Sequence, residues 1–464
     1  MSINDFIPYT LTTGQWLAVN KLEIFFQDDN DIFVLQGYAG TGKTTLLKGI
    51  LDFLDAKKQP YKLMASTGRA ARVLANKSGR PASTIHSTIY EIDSSRTVVE
   101  DDKKILAFRL RMNNDAAETI YFIDEASMIA DKTEANQNLL FDDGRFLDHI
   151  LRYSGKRKLV FIGDNAQLPP VNCAFSAAMD PAYLENSYRK KVLSMVLTEV
   201  KRQDDFGGIL LNATEMREKL SRGSLPPLSL HTSVYEDISN PENIWKALRE
   251  YAREIQNEGF QHEIFISFSN GGAHYLNSEV RKNIFKNTDI PLQAGEWLMV
   301  VQNNYSTGYN NGQHLKLISW IDKGEKVGNV RLADAELEDP ETGIKKNVKI
   351  VYDLLFRKDP NLTLEEEKEF TRDFAIRMRH MNIKPGSDNF LIRLITDQRL
   401  NALRVKFGYA ITCHKAQGGE WDKVYINIEP AFEKMPRESQ YRWLYTAVTR
   451  AATHLVIPRH PLLY

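Results

Sequence analysis

Residues 32–47 read IFVLQGYAGTGKTTLL, and this stretch decides the fold of the chain around it. The apolar run Ile32–Leu35 is typical of a buried parallel strand, and residues 45–47 open a helix. Between them, GYAGTGKT at residues 37–44 fits the spacing G-x-x-x-x-G-K-[ST] at every fixed position. Strand, glycine-rich loop and helix in this order predict a loop whose backbone N–H groups bind phosphate.

The end of this loop carries the predicted phosphate chemistry. Lys43 is placed to reach the β- and γ-phosphates of a nucleotide, and the Thr44 hydroxyl to hold Mg²⁺. A glycine turn with a chance lysine is the alternative, and the flanking strand and helix disfavour it. The predicted nucleotide-binding residues are Gly37, Gly40, Thr41, Gly42, Lys43, Thr44 and Thr45.

The bulk composition excludes several classes of protein. A chain of 464 residues with 42% hydrophobic and 26% charged residues is ordinary for a globular protein of about three domains. Because the formal net charge is zero, any nucleic-acid surface must be local. The only cysteines, Cys173 and Cys413, argue against a disulfide framework or a cysteine metal site. The N-terminus has no secretory signal and no apolar run is long enough to span a membrane, so we expect a cytoplasmic protein.

The rest of the chain divides into two α/β units. A helix at 11–26 and strands at 32–35, 62–65, 119–123 and 158–162 alternate with helical stretches, which predicts one parallel-sheet domain at residues 1–92 and 115–195. A second unit begins near Leu197 and is predicted at residues 196–290 and 402–464.

Two segments interrupt the α/β pattern. The β-prone runs Thr97–Val99 and Ile105–Leu110 flank a polar tip, which predicts an inserted hairpin at residues 93–114. From residue 291 to residue 401, short strands alternate with turn pairs such as Asn311-Gly312, which predicts an inserted small antiparallel β-barrel. The charged helix Leu362–His380 within it is expected to present a solvated face.

Charged residues outside the loop complete a hydrolytic site. Asp124 and Glu125 directly follow a β-rich run, and we assign Asp124 to Mg²⁺ and Glu125 to the attacking water. An ordinary strand end is the alternative for this pair. Arg202 and Arg450 both lie in the second unit and are candidates to stabilise the transferring phosphoryl group across a cleft, although each alone is more often a surface arginine.

The ordered set of motifs resembles superfamily 1 DNA helicases of the RecD and Dda type. The matching stretches span Gln15 to Arg450 and are GYAGTGKT, STGRAARVL, STIHS, FIDEASM, GDNAQLPPV, LTEVKRQ, AITCHKAQG and LYTAVTRA. The resemblance implies an α/β fold with two RecA-like P-loop domains, an inserted β-hairpin that splits the duplex as a pin, and an inserted SH3-like barrel.

The resemblance also implies roles for single residues in the ATP site. Gln15 matches the residue that reads adenine, Gln167 the sensor of the γ-phosphate, and Glu420 a position that contacts ribose in related helicases. Arg202 and Arg450 match the two arginine fingers. The predicted catalytic residues are Lys43, Glu125, Gln167, Arg202 and Arg450.

A second group of positions matches contacts to the single strand. These predicted DNA-binding residues are Thr67, Arg69, His86, Thr412 and His414. A structural role stays open for each of them. Phe108 in the hairpin is the candidate wedge, with packing inside the hairpin as the alternative.

The sequence therefore predicts an ATP-dependent 5′→3′ DNA helicase that uses Mg-ATP and acts as a monomer on single-stranded and forked duplex DNA. Single-strand-binding or replication and repair proteins are its expected partners. The alternatives are a DNA-stimulated ATPase that remodels protein–DNA complexes without unwinding, and a binding module with an inactive nucleotide site. Polarity and the preference for DNA over RNA rest on the resemblance alone.

Overall fold

The computed structural model describes residues 1–100, 103–133, 139–141, 145–199, 207–260, 262–286 and 291–463. The predicted arginine finger Arg202 and the hairpin-tip residues Asp101 and Asp102 lie outside this description. Within it, no helix is long and apolar enough to cross a membrane.

The described part of residues 1–199 contains six α-helices and ten strands, which form the first unit. The helices are α1 (Thr13–Gln27), α2 (Lys43–Ala56), α3 (Gly68–Ser78), α4 (Ile85–Ile89), α5 (Phe146–Ser154) and α6 (Pro181–Tyr188). The strands are β1 (Ile32–Gly37), β2 (Tyr61–Ala65), β3 (Ala82–Thr84), β4 (Tyr90–Ile92), β5 (Val98–Glu100), β6 (Lys103–Leu110), β7 (Ile120–Asp124), β8 (Leu139–Phe141), β9 (Leu159–Gly163) and β10 (Val192–Leu197). The strands predicted at 32–35, 62–65, 119–123 and 158–162 are confirmed to within two residues.

A parallel sheet of order β10-β1-β9-β7-β2-β3 forms the centre of this unit. Alternate residues of β1 face opposite layers: Phe33 and Leu35 pack with α1 and α2, whereas Ile32 and Val34 pack with α4 and α5. Because both faces are covered, the strands are apolar throughout, as buried parallel strands are. The adjacent strands β1, β9 and β7 bring the loops after Gly37, Gly163 and Asp124 to one edge of the sheet.

The second unit is described from residue 207 onward, and the insertion divides it into two parts. Its first part contains α7 (Gly208–Arg222), β11 (Ile238–Ser239), α8 (Ile244–Glu258), β12 (Glu263–Ser267) and α9 (Asn270–Phe285). The insertion follows with β13 (Trp297–Val300), β14 (His314–Ile321), β15 (Lys326–Val327), β16 (Val330–Glu338), β17 (Lys345–Val351), α10 (Leu364–His380) and α11 (Asp388–Thr396). The chain ends with β18 (Val405–Phe407), β19 (Ala410–Thr412), α12 (Cys413–Ala416), β20 (Trp421–Asn427), α13 (Arg437–Val448) and β21 (Ala451–Val456).

Two sheets organise this part of the chain. The second parallel sheet has the order β11-β21-β20-β12-β19, so the α/β prediction of two parallel sheets is confirmed. The insertion forms an antiparallel sheet of order β15-β16-β14-β13-β18, with β17 on β16.

The strand pairing moves two predicted boundaries. The boundary at residues 195 and 196 falls inside β10, which pairs with β1 in the first sheet. The boundary at residues 401 and 402 precedes β18, which pairs with β13 of the insertion. Both domain boundaries are determined by pairing between strands that are distant in sequence, and a local sequence pattern does not show such pairing.

The charged helix α10 corrects a second expectation. Phe370, Phe374 and Met378 lie one turn apart and are buried against the insertion sheet and α11. The helix is therefore amphipathic, with one packed face, rather than mainly solvated.

The predicted hairpin exists but is not free-standing. β5 and β6 pair antiparallel, and β6 also pairs with β4 and β8, which lie outside the predicted bounds. Phe108 on β6 is only 4% exposed, and its ring stacks on Phe141 with centroids 5.0 Å apart and contacts Tyr305 at 5.1 Å. The ring of Phe108 is thus used in packing, as the alternative proposed, and its role as a wedge stays a prediction.

Candidate nucleotide cleft and nucleic-acid groove

The loop at residues 37–44 has the backbone geometry that its glycines allow. Gly40 and Gly42 have φ values of 80° and 76°, in the left-handed region that favours glycine, and Gly42 caps α2. A Cβ atom on Gly37 would lie 2.8 Å from Thr41 Oγ1 and 2.9 Å from the Lys43 side chain. Larger residues at these positions would therefore distort the cradle.

Polar groups within the loop hold it in shape. Lys43 Nζ donates to the carbonyl oxygens of Gly37 at 2.5 Å and Tyr38 at 3.0 Å. Thr41 Oγ1 donates to Tyr38 O at 2.8 Å. The Lys43 ammonium thus points into the loop, where a phosphate oxygen would be a stronger acceptor than a neutral carbonyl.

Gln15 supports the loop from behind. Its Nε2 donates to Thr41 O at 2.9 Å, and its Oε1 accepts from the N–H of Thr12 at 3.1 Å. The side chain is buried and does not line the cleft. The predicted contact with adenine stays a prediction, whereas support of the phosphate loop is what the geometry shows.

The two adjacent carboxylates separate at the end of β7. Asp124 Oδ1 accepts from the Glu125 N–H at 2.9 Å, and Glu125 itself has a φ of 52°, in the left-handed region. Burial raises the pKa of both carboxyl groups, while the charge of Arg450 opposes this rise for Glu125. Asp124 and Glu125 can therefore take the separate roles predicted for them.

Two buried oxygens at the cleft need a partner. Glu125 Oε2 and Gln167 Oε1 have no hydrogen-bond partner within the described part of the chain. Buried polar atoms are rarely left in this state unless a ligand or water satisfies them. Both atoms belong to predicted site residues, which is consistent with a polar ligand in the cleft.

The opposite wall comes from the second unit. Arg450 follows α13 and is 6% exposed. Its Nε donates to Thr446 O at 3.1 Å, one terminal nitrogen to Gly419 O at 3.1 Å, and the other to Thr449 Oγ1 at 3.2 Å. At the rim, Glu420 forms an ion pair with Lys77 on α3.

The two walls enclose a cleft with a volume of 480 Å³, which is within the usual range for ligand sites. Most of the predicted nucleotide residues line it: Gly40, Gly42, Lys43, Thr44, Thr45, Asp124, Glu125, Gln167, Glu420 and Arg450. Gly37 and Thr41 belong to the loop but do not line the cleft. Thr44 and Asp124 offer the oxygen ligands that Mg²⁺ prefers and fit it together with phosphate oxygens.

A second cavity of 630 Å³ runs between the first unit and the insertion. Its lining comes from α3 to α4, from the sheet of the hairpin and from residues 303–310, and includes Arg72, Ser83, His86, Tyr90, Phe108, Arg111, Phe141, Tyr305 and Tyr309. Aromatic rings and cationic side chains together are typical of surfaces that bind single-stranded nucleic acid. We call this cavity the groove.

Only part of the predicted DNA-binding set lies in the groove. His86 and Phe108 line it, whereas Thr67 accepts from the Ala70 N–H at 3.1 Å as the N-cap of α3. Thr412 is buried at the start of α12, and burial lowers the pKa of the half-buried His414. The contacts of Thr412 and His414 with DNA stay predictions.

Arg69 of the first unit contacts both the second unit and the insertion. Its guanidinium stacks on the ring of Trp421 at 4.5 Å and donates to His314 Nδ1 in the insertion. His314 Nε2 in turn donates to Gly408 O at 2.9 Å, which fixes the neutral tautomer. Burial and the charge of Arg69 lower the pKa of His314 to about 3, so the imidazole stays neutral.

Comparison with known proteins finds similarity to helicases. Residues 10–225 match the family described as AAA domain, and residues 407–457 match the UvrD-like helicase C-terminal domain. The ATP-dependent DNA helicase dda of Enterobacteria phage T4 is 26% identical, over 95% of this chain and 97% of its own. The chain is therefore similar to superfamily 1 helicases of the Pif1, RecD and Dda type. An uncharacterized protein of Acanthamoeba polyphaga mimivirus is 24% identical to this chain, over 96% and 98% of the two chains.

Solved Pif1 structures resemble this chain more distantly. The crystal structure of a Bacteroides Pif1 helicase in complex with ADP-AlF3 and ssDNA is 16% identical and covers 97% of this chain and 93% of its own, with a TM-score of 0.47. A structure of two coordinating Pif1 helicases that unwind forked dsDNA is 18% identical and covers 97% of this chain and 92% of its own, with a TM-score of 0.48. The similarity to superfamily 1 helicases therefore rests on the sequence matches and the ordered motifs.

The structure adds two tyrosines to the site that lie within the motifs and were not predicted from the sequence. Tyr38 occupies a variable position of the phosphate loop, and Tyr445 precedes Arg450 in LYTAVTRA. Arg217 on α7 lies over the Tyr38 ring at 4.1 Å. The sequence feature that could have indicated both residues is an aromatic side chain at a variable position of a motif.

Proposed function

We propose that this protein is an ATP-dependent DNA helicase that translocates 5′→3′ along single-stranded DNA and unwinds duplex DNA. The observation that carries the proposal is the shared cleft, in which Lys43, Glu125 and Gln167 from the first unit face Arg450 from the second. A site divided between two units is complete only when they are close, so hydrolysis can be coupled to their relative movement. The helicase dda, similar over nearly its whole length, supports this activity.

In the proposed reaction, water attacks the γ-phosphorus of ATP, the bond to the bridging oxygen breaks, and ADP and phosphate leave. Glu125 orients the water and accepts its proton, while Lys43 and Arg450 stabilise the charge on the transferring group. Mg²⁺, held by Thr44 and Asp124, would offset the phosphate charge. Four residues take the roles that the family resemblance implies. Gln15 contacts adenine and Gln167 senses the γ-phosphate. Glu420 contacts ribose, and Arg202 is the second arginine finger.

We assign the single strand to the groove. His86 and the exposed Tyr305 offer rings on which bases can stack, and stacking contributes about 1–3 kcal/mol per base for any sequence. Arg111 supplies positive charge in a protein of zero formal net charge, whereas Arg72 is paired with Asp339 and Glu341. Thr67, Thr412 and His414 would extend this path. We further propose a monomer whose insertion is an SH3-like barrel and whose RecA-like domains bind single-stranded and forked DNA.

The test is ATP hydrolysis and strand separation by purified protein on 5′-tailed and 3′-tailed duplexes, in DNA and in RNA. We expect single-stranded DNA to stimulate hydrolysis and only 5′-tailed DNA to be unwound. Glu125→Gln is the matched variant, because it keeps the shape of the side chain but removes the base, and it should bind ATP without turnover. Unwinding of 3′-tailed substrates alone would refute the assigned polarity, and no stimulation by DNA would refute the activity.

The second candidate is a translocase that moves along single-stranded DNA and displaces proteins without unwinding. The burial of Phe108 favours it, because the hairpin then offers no exposed aromatic wedge among its described residues. Displacement of streptavidin from biotinylated single strands, with no separation of forked duplexes, would identify this activity. Separation of forks at a comparable rate would exclude it.

A further inference from the structure

One phenol hydroxyl connects three separate parts of the cleft. Tyr445 lies on α13 of the second unit, and its hydroxyl donates to Asp164 Oδ2 at 2.6 Å. The same oxygen accepts from the backbone N–H of Ala39 in the phosphate loop at 3.2 Å. Ala39 and Asp164 follow different strands of the first sheet, β1 and β9. A single side chain of one unit therefore contacts two nucleotide loops of the other.

The surroundings make this contact strong and specific. Tyr445 and Asp164 are both 1% exposed, and the second carboxylate oxygen of Asp164 accepts from the Ala166 N–H at 2.9 Å. A hydrogen bond to a carboxylate in a poorly solvated site is stronger than one between neutral groups. Burial and the charge of Asp164 raise the pKa of Tyr445 well above its ordinary value, so the phenol stays a donor.

Neighbouring contacts hold the other end of the same loop. Thr446 Oγ1 accepts from the Leu168 N–H at 2.9 Å, and Gln417 Nε2 donates to Leu168 O at 2.9 Å. The second unit thus forms hydrogen bonds with both ends of the loop from Asp164 to Leu168. Gln167 lies between these two contacts, and its Oε1 is buried without a hydrogen-bond partner in the described chain.

The phosphate loop has a second attachment beside Ala39. The Tyr38 ring packs against the core of the second unit, and Arg217 lies over it at 4.1 Å. A cation held over an aromatic face contributes to the stability of such a contact. Two consecutive residues of the phosphate loop therefore contact the second unit directly.

We propose that Tyr445 is a positioning residue that couples the placement of the phosphate loop and of Gln167 to the placement of Arg450. Tyr445 lies on α13, and Arg450 directly follows the C-cap residue Thr449 and bonds back to Thr446 O, so a movement of α13 displaces the finger and both loops together. The Tyr445 hydroxyl is the group through which this movement reaches the first unit. This inference rests on the proposed DNA-stimulated hydrolysis of ATP.

Tyr445→Phe tests the role, because it removes one oxygen and keeps the ring. The matched control is Tyr441→Phe, one turn earlier on α13, where the hydroxyl donates to Pro226 O at 3.1 Å within the second unit. Both variants lose one hydroxyl from a buried tyrosine, and Tyr445→Phe should lower the thermal midpoint more, because it leaves a buried carboxylate oxygen without its donor. Any difference between them in catalysis then reports the contact across the cleft.

The measurements are kcat and KM for ATP, with and without saturating single-stranded DNA. We expect Tyr445→Phe to lower the DNA-stimulated kcat about tenfold, the value of one hydrogen bond to a charged group, while KM changes less than about twofold. Tyr441→Phe should keep the wild-type ratio of stimulated to basal kcat. Asp164→Asn should reproduce the loss, and the double variant should add little to it, because both changes break the same contact.

The outcomes separate the two hypotheses. If DNA stimulates the wild-type protein but Tyr445→Phe and Tyr441→Phe have the same stimulation ratio, the positioning role is overturned. The proposed function then remains intact. A wild-type protein without any stimulation would overturn the proposed function and the role of Tyr445 with it. If Tyr445→Phe does not fold, the stimulation ratio of Asp164→Asn decides between the same outcomes.

Discussion

Replacement of Arg450 by alanine is the sharpest test of the shared cleft. The guanidinium is 6% exposed, is oriented by three hydrogen bonds to groups of its own unit, and lines the cleft that contains Lys43 and Glu125. A side chain held in this way is oriented before the nucleotide binds. Its removal should therefore act on the transition state rather than on folding of the first unit.

The magnitude follows from the charge that the arginine places on the transferring phosphoryl group. Loss of an arginine in this role costs about 10³-fold in kcat or more, which is about 4 kcal/mol. Arg450→Lys keeps the charge but loses the planar fork, so it should recover only part of the rate. Arg459→Ala is the matched control, since this arginine of the same unit contacts Asn240 away from the cleft.

Arg450→Ala should also change the dependence of the rate on pH. Burial raises the pKa of Glu125, and the charge of Arg450 lowers it. Without Arg450, this pKa rises further. Because the base acts in its ionised form, activity is lost as pH falls through its pKa, so the acid limb of the residual activity should move to higher pH.

The assay is release of phosphate at saturating single-stranded DNA and ATP over a pH series, with ATP binding measured separately. We expect binding to persist while turnover falls. A kcat within about threefold of wild type, far from the loss expected for a finger, would refute the role of Arg450. An acid limb that moves to lower pH would refute its influence on Glu125.

Three further changes probe the surroundings of the site. Gln15→Ala leaves Thr41 O without its donor at the cost of about 1–3 kcal/mol, so KM for ATP should rise about tenfold with little change in kcat; an unchanged KM would argue against loop support. Phe108→Ala removes a buried, stacked ring and should destabilise the protein by about 3–5 kcal/mol in denaturant unfolding, with a smaller loss for Phe108→Leu; equal stability of wild type and both variants would argue against the packing role. Lys77→Ala breaks a partly exposed ion pair with Glu420, so kcat should change by less than about fivefold and the difference should fade at high salt; a larger loss that persists in salt would give the pair a role in catalysis.

The sequence predicts those parts of the site that depend on local geometry. The phosphate loop and the pair Asp124-Glu125 are each encoded within one strand and the turn after it, so spacing alone identifies them. Arg450 required the family motifs, because no local pattern shows that an arginine after a helix faces a strand edge hundreds of positions away. The cleft gathers these predicted residues, which supports the hydrolytic interpretation.

The remaining features depend on long-range packing. Tyr445 meets Asp164 across 281 positions, and Phe108 meets Tyr305 across a boundary between two insertions. The buried face of α10 was visible as the spacing of Phe370 and Phe374, but the density of charge around it favoured the opposite interpretation. A pattern records which faces are apolar, whereas the partner that covers them is set by topology.

The insertion and the second unit share one hydrophobic core, and this continuity has a mechanical consequence. Leu248 and Phe265 of the second unit belong to the same buried cluster as Leu315, Leu337 and Ile350 of the insertion. Packed interiors transmit displacement rather than absorb it. A rotation of this combined body about the first unit would change the width of the cleft and of the groove at the same time. One rigid-body movement would then close the protein on ATP and on single-stranded DNA together.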